Sequence, residues 1–492
     1  MPVVPIATTG NNPSPSADAK QNDRDPFLVA FTEPYDAENP KDWPNRRKWA
    51  ITDVMSATGF NRIVVSTIIA PALTTIAAEL HMTSTESVLA LSIYLLATAF
   101  GPLFIGPLSE IYGRKVVLHG SNIWFLGFNL ACAFAKSKEV LIASRFLAGF
   151  GASAIYALGG GVLGDLWRPS ERGRSLGWYL LIPLLGAAVG PIIGGIIVAH
   201  TTWRWIFWST SIFQGLMIAV SFDVFKETFG PTILAKRAAR LRKESGEMRY
   251  YTLYERQVSN DSYAKIIVRT TSRPFRLLLF HPLVQITALI SALGYGVLYI
   301  VISSFATLWT ERYHESTQIS GLHYIATALG ELAGSQVGSR LMDALYRRME
   351  KRDSNGLHKP EYRLSLTLVG ILLVPVGLLI YGWTAQYKVY WTAVDVGVFI
   401  YAFGAQISGM PISAYIIDAY PDHTSSVLAA TQFLRSLTAF LFPLFTPTLY
   451  GNLGYGWGNT LIAFLSLGIV LPSPFIIWRF GERLRKRATS TF

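Results

Sequence analysis

Among the ionisable side chains in largely apolar stretches are Arg62, Arg145, Glu331 and Asp395. A charge at the centre of a hydrocarbon layer costs about 2.5–3.5 kcal/mol on insertion scales, so residues kept there are generally turned toward a cavity or a partner. Glu331 is the side chain best suited to take up and release a proton, with a structural hydrogen bond as the plainer reading. Arg62 lies about 20 Å into its stretch at 1.5 Å per residue. It is either an electrostatic anchor for a substrate or partner carboxylate, or an interfacial arginine if the stretch begins later. Asp395 lies near the outer end of its stretch and suits a cation or water as well as a proton. Asn61, Gln214, Gln285, His323, Gln336, Gln406, Gln432 and Arg435 add further polarity in comparable stretches. Both halves of the chain supply these groups, as a cavity between two repeats requires.

A second set of residues marks the ends of these stretches. Gly106-Pro-Leu-Ser-Glu-Ile-Tyr-Gly-Arg-Lys115 makes a tight, charged turn, with Gly106, Glu110, Gly113, Arg114 and Lys115 as its working residues. Asp343, Arg347 and Arg348 repeat the spacing of Glu110, Arg114 and Lys115 beyond a later apolar stretch, which predicts a duplicated membrane protein. The copy is imperfect, because Tyr346 stands where the first has Gly113. Asp165 beside Arg168 and Arg172, and Asp418 at the matching place, suit cytoplasmic latches between the halves. Gly186, Gly190 and Gly194 recur every four residues on one helix face, which allows close helix approach. Pro191 between them frees a carbonyl and permits a bend, and Gly195 extends the run.

The elements that must position these residues are twelve membrane spans. They are expected near 49–73, 87–108, 116–135, 140–164, 176–199 and 203–225, then 283–309, 318–342, 364–385, 389–415, 426–450 and 458–480. The chain of 492 residues is 51% hydrophobic and only 15% charged, against about 25% charged in soluble domains. The expected architecture is all-α: a disordered cytoplasmic tail over 1–45, a six-helix bundle over 46–225 and a basic cytoplasmic loop over 226–282. A second six-helix bundle over 283–480 and a basic tail over 481–492 follow. A basic helix over 234–243 is expected to lie along the inner leaflet. Aromatic residues at span edges, among them Trp203, Trp205, Trp208, Trp309, Tyr390 and Trp457, suit an interfacial belt.

The net charge of +12 falls mostly in the loops assigned to the cytoplasm, which orients both termini inward and argues against nucleic acid. One cysteine, Cys132, excludes an intramolecular disulfide. There is no phosphate-cradling G-x-x-x-x-G-K-[ST], no cluster of metal ligands and no nucleophile triad. An ATP-driven pump, an enzyme and a bound cofactor are all disfavoured.

Together these stretches resemble the major facilitator superfamily, in its fungal twelve-span drug/proton antiporter branch. Gly106 to Lys115 is similar to the signature between spans 2 and 3, with Glu110 in place of the commoner Asp. Arg145 with Phe146, Gly149 and Gly151 resembles a span-4 motif whose arginine is linked to proton coupling. Gly186 to Gly195 resembles the span-5 antiporter motif associated with export. Asn39-Pro-Lys-Asp-Trp-Pro44, Glu227-Thr228 and Phe433-Leu-Arg435 are further matches. The resemblance implies two six-helix bundles that rock about a central site. It further implies a monomer that admits protons and expels a small organic compound such as a drug, toxin or fungal secondary metabolite. The plasma membrane is the expected location, with a vacuolar or vesicular membrane as the alternative. An importer or facilitator of an organic anion or nutrient is the runner-up, consistent with Arg62 but not with the span-5 motif.

Overall fold

The computed structural model describes residues 25–258, 263–352, 360–420 and 424–489. Backbone N–H and C=O groups in a bilayer find no water, so each apolar stretch satisfies them internally as a helix. The first half contains α1 (Asn45–Thr67), α2 (Leu73–Glu79), α3 (Ser84–Tyr112), α4 (Arg114–Ala133), α5 (Lys138–Ala152), α6 (Ala154–Leu166), α7 (Pro169–His200) and α8 (Arg204–Val224). Between the halves lie α9 (Gly230–Ser245), α10 (Leu253–Val258) and α11 (Tyr263–Phe280). The second half contains α12 (Pro282–Thr307), α13 (Thr317–Leu322), α14 (Tyr324–Arg352), α15 (Thr367–Gln386), α16 (Trp391–Ala419), α17 (Thr424–Val470) and α18 (Pro472–Thr489).

These helices group into twelve crossings. α1 runs on through a 3-10 turn at Ala70–Ala72 into α2, and α5 meets α6 at Ser153. α17 breaks at Gly454, where φ is 68°, a conformation that glycine adopts without a Cβ clash. Among the described residues, nine segments are long and apolar enough to cross a membrane by length and composition, and one of them, Ser426–Leu484, holds two crossings joined at that break. α7 and α14 complete the set. The helix α14 carries Glu331, Arg340, Asp343, Arg347 and Arg348, which lower its apolar character.

Three apolar clusters define how the halves meet. At the end of the molecule remote from Arg114, one cluster joins both halves, with Val64, Ile68, Trp203 and Phe207 packed in the same core as Val297, Phe305, Trp309 and Tyr381. At the end that carries Glu110, Arg114 and Arg168, here the basic end, each half keeps its own core. Ile51, Leu158 and Trp167 belong to one, and Leu283, Ile412 and Tyr415 to the other. The halves are therefore sealed together at the far end and parted at the basic end.

Three expectations change. Residues 1–24 of the expected tail lie outside the described residues, but 25–44 are packed rather than disordered. Val29 N–H donates to Tyr251 O at 2.8 Å, and Arg237 on α9 pairs with Asp36 at 2.7 Å. Arg240 pairs with Glu38 at 2.8 Å, and Trp43 is 7% exposed. This segment, a strap over 25–44, also covers the apolar side of α9, burying Leu234 and Ala238 against Val29, so that helix faces protein there rather than lipid. The aromatic belt is partial as well. Trp205 and Trp457 are 50% and 62% exposed, but Trp203 and Trp309 are buried in the far-end core.

Candidate transport cavity

A cavity of about 2280 Å³ lies between the halves and extends from mid-depth to the basic end. Its first-half wall includes Pro102, Gly106, Glu110, Arg114, Tyr156 and Trp178, and its second-half wall Tyr295, Glu331, Gln336, Gln406, Gln432 and Arg435. Polar bridges cross between the halves: Thr98 Oγ1 lies 3.0 Å from Ser436 Oγ, and Ser66 Oγ 3.4 Å from Tyr299 Oη. Gln432 Nε2 donates to Ser436 Oγ at 2.9 Å, so the cavity wall is tied to one of these bridges.

Glu331, from α14, is only 6% exposed yet lines this cavity. Among the described residues it has neither an ion-pair partner nor a side-chain hydrogen bond. The Tyr401 hydroxyl in the same wall is also buried without a partner. A lone carboxyl group between protein and an aqueous cavity is the arrangement that proton exchange requires.

Arg145 and Arg62 sit elsewhere. Arg145 is fully buried and donates to three main-chain carbonyls, those of Ala90 at 3.1 Å, Val65 at 2.8 Å and Leu91 at 3.3 Å. Its guanidinium also lies 4.8 Å from the centre of the Tyr94 ring. It therefore ties α5 to α1 and α3. Arg62, 2% exposed, donates to Ala152 O at 3.2 Å and to Asn122 Oδ1, while its Nε has no partner. Neither arginine lines the cavity. Asn61 likewise turns inward, donating to Thr210 O and to Gln214 Oε1 at 3.2 Å. Gln285 donates to Leu279 O at 2.8 Å, outside the cavity.

Asp395 and His323 meet at the far end. His323 Nδ1 lies 2.8 Å from Asp395 Oδ2, and Nε2 lies 2.9 Å from Glu315 Oε2. The imidazole stacks on Trp309 at 3.7 Å between ring centroids. With a carboxylate oxygen facing each ring nitrogen, the group holds together when both nitrogens carry protons or when a carboxyl does. Glu315 is a partner that its sequence position does not announce.

At the basic end, Gly113 takes φ 92°, and a Cβ there would come 2.4 Å from Glu227 Oε2. That carboxylate accepts the backbone N–H of Arg114 at 2.9 Å and of Lys115 at 3.2 Å, satisfying the orphan donors that open α4. Arg114 in turn donates to Ser109 Oγ at 2.6 Å and pairs with Asp165 at 3.3 Å. Glu227 is a member of this charged cluster that sequence reasoning did not assign, although Glu227-Thr228 is part of the resemblance. These contacts hold the first half to itself. Arg168 pairs with Asp42 of the strap at 2.7 Å, and the side chain of Arg172 lies outside the described set. In the second half, Arg363 rather than Arg347 pairs with Asp418, while Arg347 Nε donates to the main-chain oxygen of Asp343.

The glycine face of α7 divides its work. A Cβ on Gly186, Gly190 or Gly194 would press on α1 or its end, the last at 2.1 Å from Ile68 O. A Cβ on Gly195 would instead meet Thr317 O at 2.9 Å and Gly321 Cα at 3.2 Å, in the second half. Pro191 O faces the same Gly321, at 2.9 Å from where its Cβ would stand. The seam between halves thus passes through α7 and α13.

The Major Facilitator Superfamily profile matches residues 55–443. A probable efflux pump, mfs2, of Aspergillus flavus is 52% identical over 86% of this chain and 100% of its own length. The efflux pump vrtL of Penicillium aethiopicum is 41% identical over 94% of this chain and 91% of its own. The xylose transporter XylE of E. coli, solved in a partially occluded inward open conformation, shares the fold. Its TM-score is 0.62 at 14% identity, covering 89% of this chain and 98% of that one. The chain is a multi-pass membrane transporter and belongs to the major facilitator superfamily.

Proposed function

We propose that this transporter is a proton-coupled exporter of small organic compounds, working by alternating access as a monomer in the plasma membrane. The observation that carries the reading is the unpaired Glu331 carboxyl in the wall of a cavity shared by both halves. The two relatives bearing the name efflux pump support the outward direction. The basic end is taken as cytoplasmic because positive loops stay inside. Substrate then enters from the cytoplasm while the far-end core is closed. Rocking of the halves about the seam opens the far end and closes the basic end, where Glu110 and Arg114 face the cavity. A proton taken up by Glu331 from outside and released inside completes the cycle.

Expression in a yeast depleted of its own exporters tests this. Lower accumulation of a dye substrate that a protonophore restores supports the reading, and efflux indifferent to the protonophore refutes proton coupling. Uptake driven by an inward proton gradient would favour the importer.

A further inference from the structure

Arg435 is the unpaired cation of the cavity among the described residues. Of the other charged groups in the wall, Glu331 is likewise unpaired and carries the proton in the reading above, and the rest are occupied or lie at the basic end. Arg114 is bound to Asp165 and Asp418 to Arg363, while Asp53 accepts the Trp178 indole N–H at 2.8 Å. Among the described residues Arg435 has no carboxylate partner; its guanidinium carbon lies 4.1 Å from the centre of the Tyr295 ring. It stands eleven residues into α17, about 16 Å from the basic end at 1.5 Å per residue. A cation held at that depth without a counter-ion is costly unless the cavity supplies one.

Resting on the exporter reading above, we infer that the substrate is a planar aromatic anion whose charged group is held by Arg435. The guanidinium carbon sits over the Tyr295 ring, and among the described residues no carboxylate takes its N–H groups. A planar fork of donors matches a carboxylate in two parallel hydrogen bonds, and its free face accepts a second flat ring. Tyr156 from the first-half wall and Tyr295 from the second-half wall bring aromatic surface to the same cavity, and Val297, Ile371 and Pro375 bring apolar surface. Arg62 is ruled out of this duty by its bonds to Ala152 and Asn122. A cationic substrate would meet like charge at Arg435.

Fluorescein and rhodamine 123 share a flat tricycle and differ in charge, so their binding to the purified full chain, read by fluorescence polarisation, is the test. The wild-type protein is expected to bind fluorescein more tightly. Arg435→Gln is expected to weaken fluorescein binding about tenfold and to leave rhodamine 123 binding unchanged or improved, which also shows that the variant is folded. Arg435→Lys, which keeps the charge but loses the flat fork, should fall between. Absence of fluorescein binding to the wild type, a preference for rhodamine 123, or equal loss of both dyes in Arg435→Gln overturns the inference. Fluorescein preference retained in a protein whose efflux ignores a protonophore would instead remove proton coupling and leave the anion site standing.

Discussion

Glu331 and Arg145 are both ionisable residues buried in apolar helices, and their surroundings assign them opposite duties. Arg145 gives each of its three guanidinium nitrogens to a main-chain carbonyl, whereas Glu331 has a cavity in front of it and no described partner. Glu331→Gln, which keeps shape and removes the titration, is expected to lower proton-driven efflux at least about tenfold, in the range that loss of a proton-transfer group produces. Dye binding by the purified protein should persist. Efflux at the wild-type rate would place the proton elsewhere, and the His323 group would be next to examine. Arg145→Leu removes three buried charge-assisted hydrogen bonds and leaves the Val65 carbonyl, in the last turn of α1, without its side-chain donor, so thermal stability should fall together with transport. A stable Arg145→Lys protein that binds substrate but no longer responds to the proton gradient would instead favour a direct part in coupling.

The strap over 25–44 shows what one element does for another. Arg168's hydrogen bond holds the Asp42 carboxyl below the usual carboxylate range. Burial works against Asp36, but the amides of Thr32 and Glu38 and the Arg237 guanidinium hold it low as well. A carboxyl whose pKa is depressed on folding adds stability above its unfolded value, near 3.9, and loses it as pH falls through the folded one. The strap should therefore detach from α9 below about pH 4, seen as faster hydrogen exchange over 25–44 while the span amides stay protected. Simultaneous loss of protection in the spans would mean that the strap has no separate equilibrium. None of this was legible beforehand, because Asp36 and Glu38 find Arg237 and Arg240 some two hundred positions away and a polar Pro-rich stretch reads as tail. The spans were legible, since length and hydropathy govern membrane helices directly. So was the turn at Gly113, though not Glu227, whose carboxylate is recognisable only once α4 opens beside it.

At the scale of the whole molecule, duplication was visible in the repeated charge spacing, but the state in which the halves rest was not. It depends on shape matching across the seam, where Gly195 and Gly321 touch with no room for a Cβ. The glycine face foretold close packing without saying that its last member faces the other half. Filling the seam supplies a test of rocking itself. Gly321→Val adds atoms where Pro191 O and Gly195 Cα already stand at 2.9 and 3.2 Å from the Cβ position, and such overpacking costs about 1–3 kcal/mol. That cost falls on the far-end-closed state, so the variant should shift toward far-end-open by about tenfold or more, since 1.4 kcal/mol is tenfold. The native Cys132 is buried and leaves little background for thiol labelling. A cysteine placed at Ser335, in the cavity wall, should resist a membrane-impermeant maleimide added outside intact cells. It should label readily once Gly321→Val is added, with efflux reduced because the proposed cycle closes the far end at each turn. Equal labelling with and without the valine, in a protein that still reaches the membrane, would show that the α7–α13 seam is not where the halves part.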